Sequence, residues 1–132
     1  MAVIAIPVAE TIAGRASLAW DHRLNVGPIG VIGSNSANAL AAEADLVLAV
    51  GTRLQDFTTG PWTAFQNPAL SIVALNAARF DATKHRAASL VCDARQGLAE
   101  FTQALGAWRA PGAPGPRARR ALTPSGTRSP TR

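Results

Sequence analysis

Three glycines at regular spacing form the first stretch whose residue types could hold a ligand. They are Gly27, Gly30 and Gly33 in "GPIGVIGS" (27–34), directly before a helix predicted over 34–44. Backbone N–H groups at the start of a helix can cradle a phosphate group. The spacing matches neither the dinucleotide pattern G-x-G-x-x-G nor a Walker A sequence. Glycines that serve only to allow tight turns therefore remain the alternative interpretation.

A second candidate stretch, "GTR", follows an apolar run that reads as a buried strand. Gly51 and Thr52 could offer backbone N–H groups to an anion, and Arg53 could add a guanidinium, which suits bidentate contacts to phosphate. In an open parallel sheet, ligands bind beyond the carboxyl ends of the strands, where this loop is predicted to lie. The alternative is that Arg53 pairs with Asp56 or with another domain.

No catalytic constellation is evident elsewhere in the chain. His22 and His85 are far apart in the sequence, and neither has carboxylates around it at metal-ligand spacing, so we expect two surface histidines. The adjacent Asp21 and His22 need not point the same way, and no G-x-S-x-G elbow exists. The single cysteine, Cys92, lies in an apolar run and is expected to be a buried structural thiol. The motifs indicate a binding domain rather than an active site.

Apolar runs alternate with helical segments along residues 1–108. Strands are predicted over 3–9, 46–51, 71–76 and 88–93, and helices over 34–44 and 93–105. Pro7 cannot donate to a ladder and is predicted near the end of the first strand. Asp93 and Gln96 have capping-box spacing at the last helix, whose predicted apolar stripe is Leu98, Phe101 and Leu105. This order predicts an α/β fold, a Rossmann-like open parallel sheet with flanking helices.

Charge divides the chain at residue 108. Of the 13 basic residues, seven lie in residues 1–108 with all eight acids, whereas residues 109–132 hold six arginines and no acid. We therefore predict one domain over 1–108 and a disordered Arg/Pro/Gly-rich tail over 109–132. The tail is interpreted as an accidental extension, with a basic segment that touches nucleic acid or acidic lipid as the alternative. The nearly neutral body argues against nucleic-acid binding. The lack of a signal peptide or membrane span leads us to expect a cytoplasmic protein.

Longer runs of sequence carry a family resemblance. "IPVAET", "NVGPIGVIGSNSANALAAEADLVLAVGTRLQDFTTG", "IVALNAARFDATKH" and "CDARQGLAEF" resemble the central domain of thiamine-diphosphate-dependent enzymes. The run "AEADLVLAVGTRLQDFTTGPWTAFQNP" is most similar to the branch that hydrolyses a carbon–carbon bond of a cyclic 1,2-dione in inositol breakdown. A different member, such as an acetolactate synthase, remains an alternative, although its usual G-x-R-F-D-D-R loop is lacking here.

The resemblance implies an enzyme whose chemistry lies outside this chain. Family members hold thiamine diphosphate and Mg²⁺ with N- and C-terminal domains, which supply an activating glutamate and a G-D-G segment. This chain has no G-D-G and begins without the helix that usually precedes the first strand. We therefore expect an inactive fragment of a homo-oligomeric enzyme, truncated at its N-terminal edge. No catalytic or metal-binding residue is predicted in it.

The resemblance also bears on the two glycine stretches. Gly30, Gly33, Gly51, Thr52 and Arg53 match positions near the dinucleotide in flavin-binding relatives. FAD or ADP is accordingly the cofactor that these residues would contact. A stand-alone nucleotide-binding module is thus the main alternative to the fragment hypothesis. An interaction protein that uses its arginine tail is a third.

Overall fold

The computed structural model describes residues 6–108. The predicted tail domain (109–132), with its predicted disorder, and the start of the predicted first strand lie outside the described residues. Five strands are β1 (Val8–Glu10), β2 (Asn25–Pro28), β3 (Leu46–Val50), β4 (Ser71–Asn76) and β5 (Ala88–Val91). The helices are α1 (Asn35–Glu43), α2 (Asp56–Thr59), α3 (Arg79–Ala82) and α4 (Ala94–Leu105), with a 3₁₀ turn at Lys84–Arg86.

All of the described strand pairs are parallel, and they form two sheets. β3, β4 and β5 make a three-stranded sheet in that order, and β1 and β2 make a two-stranded one. The prediction of an α/β fold with parallel strands and flanking helices is confirmed. The division into two sheets was not predicted, because the apolar pattern that identifies a strand does not show which strand it pairs with.

β4 is the centre of the larger sheet. Its register with β3 runs from Leu46 opposite Ser71 to Val50 opposite Leu75. Leu75 is completely buried, and Ile72 and Ala74 pack with Ala49 and Leu54 into one apolar cluster. The continuous apolar run "SIVALN" therefore forms a strand covered on both faces, as is typical of parallel sheets.

Helix α1 links the two sheets. Its buried Ala37 and Ala41 pack with Ile29 and Phe65, and Val26 from β2 and Val47 from β3 contact the same cluster. The helix begins as the sequence predicts, because the Ser34 hydroxyl accepts a hydrogen bond from the Ala37 N–H at 3.1 Å. Alanine-rich helices approach their neighbours closely, which lets a nine-residue helix share one core with both sheets.

Two details of the β1–β2 region differ from the prediction. The first strand begins at Val8, after Pro7, so the placement of this proline near the strand's end was wrong. A proline before the first ladder residue costs no hydrogen bond, which explains the observed position. β2 was not predicted at all, because the four residues "NVGP" contain a glycine and a proline and show no strand pattern.

Helix α4 packs on β4 through a glycine. The Asp93 carboxylate caps this helix by accepting from the N–H groups of Arg95 and Gln96 at 2.9 and 3.2 Å. Gly97 is buried, and a Cβ there would lie 2.4 Å from Leu75 Cδ1 and 2.8 Å from Cys92 Sγ. The helix can approach the sheet this closely only because position 97 has no side chain.

The predicted apolar stripe of α4 is only partly covered. Leu98 is 41% exposed, whereas Phe101 and Leu105 are half-buried. Cys92, predicted to be buried, is a free thiol that is also half-buried. None of the helices within residues 6–108 has the length and apolar character needed to cross a bilayer. The longest is α4, at 12 residues.

We predict that Gly97→Val destabilises the fold, because the new side chain must displace Leu75 or Cys92. Overpacking of this kind costs about 1–3 kcal/mol in the free energy of unfolding. Urea unfolding followed by far-UV circular dichroism measures the change. Gln103→Ala, an exposed change in the same helix, serves as the control and should shift stability by less than about 0.5 kcal/mol. Equal stability of the two variants would contradict the packing described for α4.

Candidate functional site

The carboxyl end of β3 turns sharply at Gly51. This glycine has φ +63°, and its N–H donates to the Leu75 carbonyl at 2.8 Å. A Cβ at position 51 would meet no atom within 4 Å, so the backbone angle rather than crowding favours glycine here. The turn directs the following "TR" residues across the end of the sheet.

Thr52 ties the end of β3 to the end of β4. Its carbonyl accepts from the Asn76 side-chain amide at 3.2 Å, and its hydroxyl accepts from the Leu54 N–H at 3.2 Å. Leu54 is buried and has φ +44°, a conformation that non-glycine residues seldom adopt. The loop is thus held by side-chain bonds at one edge of the sheet.

Arg53 is the exposed cation of this loop. Its side chain is 73% exposed, and its Nε lies 3.7 Å from the Asp81 carboxylate, which is only 12% exposed. Lys84 Nζ contacts the other oxygen of the same carboxylate at 2.7 Å. The intrachain partner is therefore Asp81 of α3 rather than the Asp56 considered from the sequence. A contact this long and exposed stabilises little and leaves the guanidinium accessible to an anion.

The glycine stretch that follows β2 is closed by contacts within the chain. The Gly30 N–H donates to Asn38 Oδ1 and the Gly30 carbonyl accepts from Asn38 Nδ2, both at 3.0 Å. The N–H groups of Gly33 and Ser34 donate to the carbonyls of Gly30 and Pro28. These amides are already engaged, which favours a turn over a phosphate cradle at the same atoms.

Close packing explains the glycines themselves. Gly30 has φ +117°, and a Cβ there would lie 2.4 Å from the Phe57 carbonyl oxygen. A Cβ on Gly33 would lie 2.7 Å from both Gly30 N and Pro28 O. The Val31 N–H also donates to the Phe57 carbonyl at 3.0 Å, so the glycine stretch rests against α2. The glycine stretch therefore contacts α2, the helix that follows the "GTR" loop.

Both histidines are exposed, as expected, but His85 has partners that the sequence did not indicate. Its ring stacks on Trp62 with the centroids 4.2 Å apart, and its Nε2 lies 3.2 Å from the Leu54 carbonyl oxygen. His22 makes only a local contact, accepting at Nδ1 from the Leu24 N–H. Within residues 6–108, no three His, Cys, Asp or Glu side chains are placed to hold a metal ion.

A half-open groove of about 520 Å³ lies at the opposite edge, near the amino ends of β4 and β5. Its walls include Trp62, Phe65, His85 and Arg86. Trp62, His85 and Arg86 all have positive φ angles, between 56° and 70°. Sequence reasoning missed this cluster; the aromatic pair in "PWTAF" was its only signal, and contacts between residues so distant in sequence leave no pattern.

The comparisons with known proteins agree with the fold. The family model "Thiamine pyrophosphate enzyme, central domain" matches residues 2–101. A protein of Clostridium tetani is 43% identical over 93 residues, and one of Geobacillus thermodenitrificans is 44% identical over 101 residues. Both are named 3D-(3,5/4)-trihydroxycyclohexane-1,2-dione hydrolase.

The matched regions cover this chain far better than they cover the relatives. They span 70% and 76% of this chain but only 14% and 16% of the two relatives. The chain thus corresponds to a small part of much longer proteins. Because the family match extends over most of its residues, the chain belongs to the thiamine pyrophosphate enzyme family, in which it corresponds to the central domain.

Proposed function

We propose that the chain is the central domain of a thiamine-diphosphate-dependent hydrolase that opens a cyclic 1,2-dione in inositol breakdown. The observation that carries this proposal is the 44% identity over 101 residues to a protein named for that substrate. Identity at this level over a whole matched domain supports a shared parent enzyme. An acetolactate synthase or another member of the family is the alternative parent.

The described residues do not fit a thiamine diphosphate and Mg²⁺ site. Mg²⁺ prefers an octahedral set of oxygen ligands, and residues 6–108 contain no cluster of three potential ligands. Glu10, the one glutamate on a strand, accepts from the Leu18 N–H at 2.9 Å and holds a local loop. We infer that the cofactor and its metal ion are held by other parts of the intact enzyme, and that this chain alone is inactive.

The contribution of the domain to the enzyme would then be structural. The family match and the low coverage of the relatives support N- and C-terminal domains as partners within one longer protein. We infer that the central domain braces these two domains and takes part in forming a cytoplasmic homo-oligomer. Its exposed apolar side chains are consistent with such packing, since Trp20 is 88% exposed and Val31 and Ile32 are 58% and 61% exposed.

Nucleotide binding is a second candidate function, supported by Arg53. The side chain is 73% exposed at the carboxyl edge of a parallel sheet, where such folds bind ligands. Gly51 and Thr52 precede it, and the glycine stretch with Gly30 and Gly33 lies against the neighbouring α2. ADP or the ADP part of FAD is the ligand we propose for these five residues, with Gly51, Thr52 and Arg53 facing the phosphates. Gly30 and Gly33, whose N–H groups are bonded within the chain, would contribute only close backbone packing.

We predict that this chain alone does not hydrolyse the cyclic dione. With thiamine diphosphate, Mg²⁺ and the cyclic dione, the 132-residue protein should give no ring-opened product above background. NMR detection of the open-chain acid measures this. The full-length relative from Geobacillus thermodenitrificans is the positive control. Turnover by the short chain would show that the cofactor site lies within it, against our proposal.

The nucleotide hypothesis predicts saturable ADP binding that depends on Arg53. Loss of a charged hydrogen bond costs about 1.5–3 kcal/mol, so Arg53→Ala should raise the Kd for ADP by about tenfold or more. Isothermal titration calorimetry at physiological salt measures this. Arg86→Ala removes an equal charge from just before the amino end of β5, at the opposite edge of the sheet, and should leave Kd unchanged. If the two variants bound ADP with equal affinity, Arg53 would not be part of the nucleotide site.

A further inference from the structure

The groove near the amino ends of β4 and β5 has the size of a small-molecule site. Its volume of about 520 Å³ lies within the range of about 300–1,000 Å³ that is typical of ligand pockets. Phe65 and Ile72, each only 8% exposed, form the apolar part of its lining. The lining includes none of Gly51, Thr52 and Arg53, so a ligand here would not share the proposed nucleotide site.

Three of the lining residues have an unusual backbone conformation. Trp62 has φ +70°, and His85 and Arg86 both have φ +56°. Residues other than glycine seldom adopt such angles. They persist only where the surrounding structure holds them, and they cluster at functional sites. Two separate loops bring these three residues to one groove, which directs the search for a ligand to this place.

Contacts within the chain fix the aromatic wall of the groove. The His85 ring stacks on Trp62 with the centroids 4.2 Å apart, and Trp62 packs against Phe65 at 5.3 Å. His85 Nε2 lies 3.2 Å from the Leu54 carbonyl oxygen. Because a carbonyl oxygen only accepts, Nε2 must carry the proton, and the neutral ring keeps Nδ1 as an acceptor. The wall is therefore formed before any ligand binds.

Polar groups without partners complete the lining. Within residues 6–108, the Arg86 guanidinium takes part in no ion pair, and the Ser71 hydroxyl has no hydrogen-bond partner. Gln66 donates from its amide nitrogen to the Thr63 carbonyl at 3.2 Å, which leaves its Oε1 as an acceptor. Since all three side chains line the groove, it offers a ligand one cation, one hydroxyl and one amide oxygen.

These groups indicate the chemistry of the ligand. A guanidinium suits bidentate contact with an anion. A single unpaired cation matches the one charge of a carboxylate better than the charge of a phosphate ester, which approaches two at neutral pH. The hydroxyl and the amide oxygen can exchange hydrogen bonds with ligand hydroxyl groups. The Trp62 ring offers apolar surface to C–H groups and an indole N–H at its edge.

We propose that this groove binds a polyhydroxylated carboxylate, a sugar acid. Its carboxylate contacts Arg86, and its hydroxyl groups contact Ser71 and Gln66. The C–H groups of the ligand lie against Trp62. The proposal rests on the groove alone and does not depend on which enzyme the chain belongs to.

NMR titration of the 132-residue chain with D-glucuronate tests the proposal. The chain has three tryptophans, so each indole N–H signal can be followed separately, and Trp62→Phe identifies the signal of that residue. The Trp62 signal should shift and saturate. The signal of Trp20, which is 88% exposed and does not line the groove, should stay in place. Absence of a saturable shift at Trp62 would overturn the proposal.

Variants in the groove test which groups hold the ligand. Arg86→Gln should raise the Kd for D-glucuronate by about tenfold or more, because hydrogen bonds to charged groups are the strong ones. Ser71→Ala should raise it several-fold. Arg95→Gln, on the exposed first turn of α4 after the carboxyl end of β5, is the matched control and should leave Kd unchanged. Equal effects of the two arginine changes would show non-specific attraction of an anion and contradict the assignment.

Two further ligands test the chemical class. D-Glucose lacks the carboxylate and acetate lacks the hydroxyl groups, so each should bind at least about tenfold more weakly than D-glucuronate. If D-glucose bound as well as D-glucuronate, the groove would not recognise a carboxylate. If acetate bound as well, the groove would accept any carboxylate, including an acidic side chain of another protein. Either result overturns the proposed sugar-acid site.

Discussion

The parallel alignment of β3 with β4 is the constraint on which the other features depend. It places Val50 opposite Leu75, so that both strands end at one edge and the Gly51 N–H can donate to the Leu75 carbonyl. The same alignment lets Asn76 hold Thr52 and so presents Arg53 at the surface. Leu75 is in turn completely buried, because Gly97 lets α4 lie against β4. A change in this register would remove both the core and the candidate site.

Much of this arrangement could be predicted from local sequence, because the determining interactions are local. The caps at Ser34 and Asp93 and the apolar run of β4 each lie within one element and set its limits directly. β2 could not be predicted, since its pairing with β1 is what makes "NVGP" a strand. The stacking of Trp62 on His85 likewise depends on how two loops are brought together, which the sequence pattern does not encode.

Part of the candidate site could also be predicted, because its residues directly follow a strand that has its own apolar pattern. The sequence placed Gly51, Thr52 and Arg53 after a strand, and the structure shows them at its carboxyl end. It left the role of Gly30 and Gly33 open, and the structure shows their N–H groups bonded within the chain. Under the proposed function, these loops would meet groups from outside residues 6–108. A domain that covers 14–16% of its relatives is expected to depend on such groups for its chemistry.

The most direct test of the account is the size of the native protein in cells that express it. Peptide mass mapping against residues 40–100 after size separation gives this measurement. If the chain is the central domain of a longer thiamine enzyme, these peptides should come from a species several times heavier than 13.7 kDa. A product of 13.7 kDa that contains the arginine-rich residues 109–132 would contradict the account and leave the short chain with a function of its own.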